Sequence, residues 1–289
     1  MSAMKKRALV LSGGGSKGSW QAGAVKTLSD VYPNGFSTIS GTSVGAINAA
    51  GLSMYAPEDF RSAAWWLREK WIEDGLNIWQ YKFPWFICGL WSNSLGTNKA
   101  LKKFLKKNLD VEKVRKSGVH LLLTAVDIET GMAVRFDEKS EDLLGAVLAS
   151  SSFPVMFPMQ KVKGQLLTDG GVRDIAPLSP VIDAGAEEII VVTTANPFKP
   201  EATQIPGNVM KMLARVIDVM AMEILYNDVQ QCKRVNASLD DHPDKRPIDI
   251  RLIYPSRPLG DSLDFGRKLM KDQFRLGMED AAGHFVGEL

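Results

Sequence analysis

Short apolar runs alternate with longer helical patterns along most of the chain, and this alternation narrows the fold more than any other feature. Residues 8–11, 36–40, 119–126, 133–136, 165–168, 188–193 and 249–254 read as strands, being short and mostly apolar or β-branched. Residues 19–30, 44–54, 98–108, 141–150, a Met-rich stretch within 206–234, and 264–282 read as helices. Strands joined through helices pair in parallel, and the helices then cover both faces. The expected fold is α/β, a three-layer αβα arrangement around a central, mainly parallel sheet.

A chain of 289 residues that is 45% hydrophobic and 24% charged can bury such a core without a covalent staple. Its net charge of +2 gives no reason to expect nucleic acid as a partner. Cys88 and Cys232 stand far apart and match neither a metal-binding spacing nor a disulfide framework. That points to a reducing, cytoplasmic compartment. Lys5, Lys6 and Arg7 are followed by only four apolar residues before Ser12 and a run of glycines, which reads as strand and turn rather than a secretory leader. No run of about 18 apolar residues occurs, so any membrane contact is expected to be peripheral.

Gly41-Thr42-Ser43-Val44-Gly45 lies between the second strand and an uncharged, apolar helix. In that setting a GxSxG pattern has mechanical meaning: the serine is held on a sharp turn and its hydroxyl is pushed out above the sheet. The glycines leave room for the neighbouring strand and helix. The helix N-terminus favours negative charge at the same point. The plain alternative is an ordinary βα turn.

Ser12-Gly13-Gly14-Gly15-Ser16-Lys17-Gly18 is the first βα turn. Successive backbone N–H groups in such a loop make an anion cradle, as an acyl-transfer enzyme requires for its oxyanion. Gly13, Gly15 and Gly18 also match a dinucleotide-binding fingerprint. That fingerprint wants an acid at the end of the second strand, whereas Asp30 precedes that strand. The Walker pattern fails because Lys17 precedes Gly18.

A serine nucleophile needs a base. His120, His242 and His284 have no motif context. Asp169-Gly170-Gly171 follows the strand at 165–168, which puts a carboxylate at a strand end, where functional residues gather in open α/β sheets. An aspartate near its reference pKa of about 3.9 is a feeble base; desolvation in an apolar cleft would improve it. An Asp-Gly dipeptide is, on its own, more often a simple turn.

Taken in order, Gly-Gly-Gly-x-Lys-Gly at 13–18, Gly-x-Ser-x-Gly at 41–45 and Asp-Gly-Gly at 169–171 resemble the motifs of the patatin-like phospholipase family. The small-residue stretch Ala149-Ser150-Ser151-Ser152-Phe153-Pro154, Phe157-Pro158 and Pro177 fit the same pattern. The likeness is clear over about 7–192 and looser beyond. It implies one patatin-like domain over 1–289, with its core at 7–192 and a C-terminal helical extension at 206–289. It also implies a metal-independent, cofactor-free serine carboxylic-ester hydrolase that acts on lipid acyl esters, of phospholipase A or lysophospholipase type. Ser43 would form the acyl-enzyme. Asp169 would take its proton and later activate water. Backbone N–H groups of Gly13, Gly14 and Gly15 would form the oxyanion hole. Lys17, Gly18, Gly41, Gly45, Gly170 and Gly171 complete the motifs, with no chemistry assigned to Lys17. Two other readings stay open: an NAD(P)-dependent oxidoreductase built on the glycine turn, and a non-catalytic lipid-binding protein.

Three further features concern lipid. Six of the 7 tryptophans, Trp65, Trp66, Trp71, Trp79, Trp85 and Trp91, lie in one segment that reads equally as an interfacial anchor or as a packed cap. Lys102, Lys103, Lys106 and Lys107 oppose Leu101, Phe104, Leu105 and Leu109 by helical spacing, as on an ordinary solvated face. Met210, Met212, Met220 and Met222 read as ordinary core rather than a specific pocket.

Overall fold

The computed structural model describes residues 6–74, 80–81, 94–199, 207, 209–241 and 244–285. In chain order its strands are β1 (Arg7–Leu11), β2 (Thr38–Gly41), β3 (Gln80–Tyr81), β4 (Gly96–Thr97), β5 (His120–Asp127), β6 (Ala133–Asp137), β7 (Gln160–Val162), β8 (Gln165–Asp169), β9 (Glu188–Val192) and β10 (Asp249–Ile253). β3 and β4 form a separate ribbon. The other eight make one sheet in the order β10-β9-β1-β2-β5-β8-β7, with β6 also on β5. From β10 to β5 every pairing is parallel, and the β6, β8 and β7 pairings are antiparallel.

The helices are α1 (Gly18–Val31), α2 (Val44–Leu52), α3 (Phe60–Arg68), α4 (Lys99–Asn108), α5 (Val111–Lys116), α6 (Leu143–Ser150), α7 (Leu178–Asp183), α8 (Val209–Ala237) and α9 (Arg267–His284). Successive side chains of a strand point to opposite faces. Leu9, Leu11, Ile190 and Val192 accordingly enter one core with Trp20, Ile47 and Phe274, from α1, α2 and α9. Ala8, Val10, Ile189 and Val191 enter a second core with Val181, Leu225 and Val229, from α7 and α8. The central strands are thus apolar on both faces, as a helix-covered parallel sheet requires. This is the expected three-layer α/β fold.

The pairing around β5 positions the site. Leu122 and Leu123 pair with β2 on one side and β6 on the other. Ala125 pairs with β6 and with Asp169 of β8. β2 and β8 therefore share the same edge of β5 and meet end to end. β2 stops at Gly41 opposite Leu123, and β8 stops at Asp169 opposite Ala125. The turns that follow the two strands converge over Thr124.

The segment expected as a helical extension is not purely helical. It supplies β10, the edge strand on β9, as well as α9. α9 crosses α1 at close range: a Cβ at Gly23 would lie 2.0 Å from the Phe274 carbonyl oxygen, and one at Gly277 2.1 Å from that of Trp20. Trp20 Nε1 also donates to Asp280 of α9.

The tryptophan segment divides. Trp71 is fully buried, Trp66 packs on Gly51, and Trp65 is 51% exposed. Trp79, Trp85 and Trp91, like Cys88, lie outside the described residues. On α4, Leu101 and Leu105 are buried, as is Leu109 just beyond it, while the four lysines face solvent, as the spacing predicts. Met212 and Met220 are exposed rather than core. The side chain of Met210 lies outside the described residues. Among the described residues, no helix is long and apolar enough to cross a membrane.

Candidate active site

Ser43 sits between β2 and α2 with φ 58° and ψ −127°, a backbone that side-chain-bearing residues rarely adopt. The surrounding glycines are required by contact. A Cβ at Gly45 would lie 2.2 Å from the Leu11 oxygen, and one at Gly41 would lie 2.3 Å from the Gly45 oxygen. Two hydroxyls at the end of α6 hold the strained residue. The Ser43 amide donates to Ser150 Oγ at 3.2 Å, and Ser150 Oγ donates to the Thr124 carbonyl at 2.6 Å. Ser151 Oγ donates to the Ser43 carbonyl at 3.0 Å.

Asp169 ends β8 and is buried. Its Oδ1 accepts the Gly171 amide at 2.7 Å. Its Oδ2 is enclosed without a hydrogen bond of ordinary geometry. Burial pushes the carboxyl up to about 7, against the opposing pull of the neighbouring Ser43 hydroxyl and the Gly171 amide. The hydroxyl is thus close enough to favour the ionised carboxylate, although no regular hydrogen bond closes between them. Asp174, a partly buried carboxylate, pairs with Arg135 at 2.8 Å and takes no part in the cavity wall.

Ser43 and Asp169 open into one cavity that is continuous with solvent. Gly14 and Gly15 form part of its wall, with Val44, Ile47, Phe153, Phe157, Ile175 and Phe265 making much of the rest. Neither of the two described histidines lines it. His120 starts β5, with Nδ1 3.0 Å from Glu138, and His284 stacks edge-on against Tyr254. His242 lies outside the described residues.

The glycine turn requires one correction. The Gly13 amide donates to the Ile175 carbonyl at 3.0 Å, and Gly13 does not line the cavity, so this N–H is not available as an oxyanion donor. The amides of Gly14 (φ 154°) and Gly15 (φ 59°) have no acceptor among the described residues. Lys17 Nζ lies 3.7 Å from Asp218 of α8, itself in the cavity wall. Gly18 packs beneath Val44 and Trp71, and Gly170 against the Thr124 carbonyl.

Residues outside these motifs complete the site. Asn48 of α2 donates to the Gly18 carbonyl and to Gln21 Oε1, and accepts from Trp71 Nε1 at 2.9 Å. Gln21 in turn donates to the carbonyls of Ser12 and Val192. This buried network ties both turns together with its members paired. The C-terminal loop adds Ser262, Leu263 and Phe265 to the wall. Their part depends on the tertiary fold and has no local sequence signature.

The family model for patatin-like phospholipase matches residues 9–182. The chain belongs to the patatin-like phospholipase family. This patatin-like chain is 26% identical over 183 residues to a cGAMP-activated phospholipase of Pseudomonas aeruginosa, an alignment that covers 58% of this chain and 53% of that protein. It therefore spans about half the length of that relative. It is 23% identical over 280 residues to the uncharacterized protein YjjU of Escherichia coli, covering 93% of this chain and 74% of YjjU. Among solved structures, VipD of Legionella pneumophila matches it with a TM-score of 0.53 at 15% identity, over 99% of this chain and 68% of VipD, which is a likeness of fold.

Proposed function

We propose that this chain is a lipid acyl hydrolase of phospholipase A or lysophospholipase type that works through a Ser43–Asp169 dyad. The observation that carries the reading is the shared cavity: a serine on a strained turn, a desolvated carboxylate and two unpaired glycine amides all border one largely apolar space. The family and the name of the Pseudomonas relative support a lipid ester as substrate.

In this mechanism Ser43 Oγ attacks the ester carbonyl carbon as Asp169 takes its proton. The carbonyl oxygen becomes an oxyanion, met by the amides of Gly14 and Gly15. Donors aimed at developing charge are usually the largest single catalytic contribution. The tetrahedral species collapses, the alcohol leaves with the proton from Asp169, and an acyl-Ser43 ester remains. Water then attacks that ester while giving its proton to Asp169, and as the C–Oγ bond breaks Asp169 returns the proton to Ser43 Oγ and the fatty acid departs. The apolar wall suits an acyl chain. Asp169 must be ionised to act, and its raised pKa brings its basicity close to neutral pH, where general bases work best. Lipid would reach the cavity from a membrane surface or micelle.

The dinucleotide reading loses support from the same geometry. The end of β2, where such a site places its ribose-binding acid, holds Gly41-Thr42-Ser43.

A p-nitrophenyl acyl ester should give a burst followed by turnover, and a fluorophosphonate should label the protein. Ser43→Ala should abolish both. Labelling that persists in that variant rejects Ser43 as nucleophile. Lipid binding without hydrolysis by the wild type would favour a non-catalytic role.

A further inference from the structure

The family match ends at residue 182, yet the glycine turn is held by residues far beyond it. Ser16, fully buried in the middle of that turn, gives both of its donors to the loop between β10 and α9. Its amide donates to the Ser262 carbonyl at 2.8 Å and its hydroxyl to the Asp261 carbonyl at 3.0 Å. The loop is anchored in turn by Gln273 of α9, a buried amide with both ends engaged. Gln273 Nε2 donates to the Leu259 carbonyl at 2.7 Å. Gln273 Oε1 accepts the hydroxyl of Ser19, whose oxygen also lies 3.0 Å from the Ser16 carbonyl. One side chain thus bridges the first turn of α1 to the loop that receives Ser16.

We infer that Gln273 is a positioning residue for the oxyanion donors, acting through Ser16 and the 259–265 loop. The inference rests on the acyl-hydrolase reading. Gly14 and Gly15 directly precede Ser16, so the aim of their amides follows the placement of Ser16. A donor serves an oxyanion only when pre-aimed, and small displacements caused from outside the chemistry reduce rate steeply. Gln273 itself has no place in the cavity wall, so it acts on turnover through the turn and the loop it holds.

Three variants test this beside the wild type. Gln273→Met removes both amide bonds at similar size. Ser16→Ala removes one hydroxyl and serves where the larger change prevents folding. Gln273→Glu keeps the acceptor but regains the donor to Leu259 only when protonated. Gln273→Met should lower kcat by about 10- to 100-fold, change kcat by a larger factor than KM, and slow fluorophosphonate labelling of Ser43 by the same factor as kcat. The Gln273→Glu to wild-type ratio of kcat should rise as pH falls, which a merely structural role would not produce. Hydrogen exchange in Gln273→Met should be faster at the amides of residues 14–17 and unchanged in α2, a readout that does not need turnover. Unchanged kcat in both Gln273→Met and Ser16→Ala, a flat Gln273→Glu ratio, or exchange in the turn equal to wild type would overturn the inference. A wild type that neither hydrolyses nor labels would instead overturn the acyl-hydrolase reading, while exchange would still decide whether Gln273 holds the turn.

Discussion

The Ser43 amide donates to the Ser150 hydroxyl at 3.2 Å across 107 positions of sequence, and that hydroxyl donates in turn to the Thr124 carbonyl. The turn that carries Ser43 is therefore strapped to the strand on which β2 and β8 meet. Ser150→Ala should leave a buried amide and a buried carbonyl without their partner. Each unsatisfied buried group costs about 1–3 kcal/mol. The expected result is a midpoint lowered by several degrees and a kcat reduced by about tenfold, since a displacement of about 1 Å at the reacting group can cost up to ~100-fold. Thermal unfolding and steady-state kinetics on the purified variant check both.

Activity should depend on the ionisation of Asp169. Its carboxyl is pushed up to about 7, chiefly by burial. The base form exists above that value, so kcat/KM should rise tenfold per pH unit well below 7 and level off above it. A profile already flat at pH 5 would show that another group, or a differently solvated carboxylate, does the work.

The same shift has a consequence for stability with the opposite direction. A carboxyl raised from 3.8 to about 7 on folding opposes folding once its unfolded form is ionised. The penalty is absent below about pH 3.8, grows as pH rises to about 7, and is constant above. Asp169→Asn should abolish hydrolysis yet melt higher than the wild type at pH 8, with the gap closing toward pH 4. Paired melting curves across that range test it, and a gap independent of pH would contradict the linkage.

Parts of this arrangement are legible without coordinates, and the rest is not, for physical reasons. Ser43 and Asp169 each stand in a local pattern, a glycine-framed turn after a short strand, so their placement at strand ends follows from nearby residues. Their convergence has a longer-range cause: β8 runs antiparallel to β5 on the edge that β2 vacates, and periodicity does not encode strand order. Which glycine amide remains free is equally non-local, because the Ile175 carbonyl occupies that of Gly13. Ser150 and Ser151 lie in a recognisable helical stretch, but nothing in that pattern says their hydroxyls reach the backbone of Ser43. Gln273 looks like any polar residue of an amphipathic helix until α9 is seen against α1.

Backbone strain at Ser43 makes a separate, measurable difference between two inactive variants. The residue holds φ 58° and ψ −127°, which costs a side-chain-bearing residue about 1–3 kcal/mol. Ser43→Ala removes the hydroxyl and keeps the strain. Ser43→Gly removes both, at an added unfolded-state entropy cost of about 0.5–1 kcal/mol. Glycine should therefore be the more stable variant, by up to ~2 kcal/mol. Chemical denaturation compares them directly, with equal slopes required so that a change in midpoint reports stability. Alanine equal to or more stable than glycine would mean that the turn relaxes once the hydroxyl is gone.

Asn48 offers the last prediction, because it joins elements that carry different parts of the site. It donates to the Gly18 carbonyl and Gln21 Oε1 and accepts from the buried Trp71 indole. Asn48→Leu keeps approximate volume but leaves the Trp71 indole N–H and the Gln21 oxygen facing an apolar side chain. With about 1–3 kcal/mol for each group left unpaired, the loss should exceed 2 kcal/mol even after partial relaxation. Asn48 has no place in the cavity wall, so the damage should reach turnover only through the two turns it ties together. Trp71→Phe removes only one bond of the network and should cost less, roughly 1–2 kcal/mol. In a double-mutant cycle the two changes should be non-additive by about 0.5–3 kcal/mol, as expected of partners in one network. Additive losses would show that Trp71 and Asn48 stabilise the fold independently, and that the turns are held by backbone contacts alone.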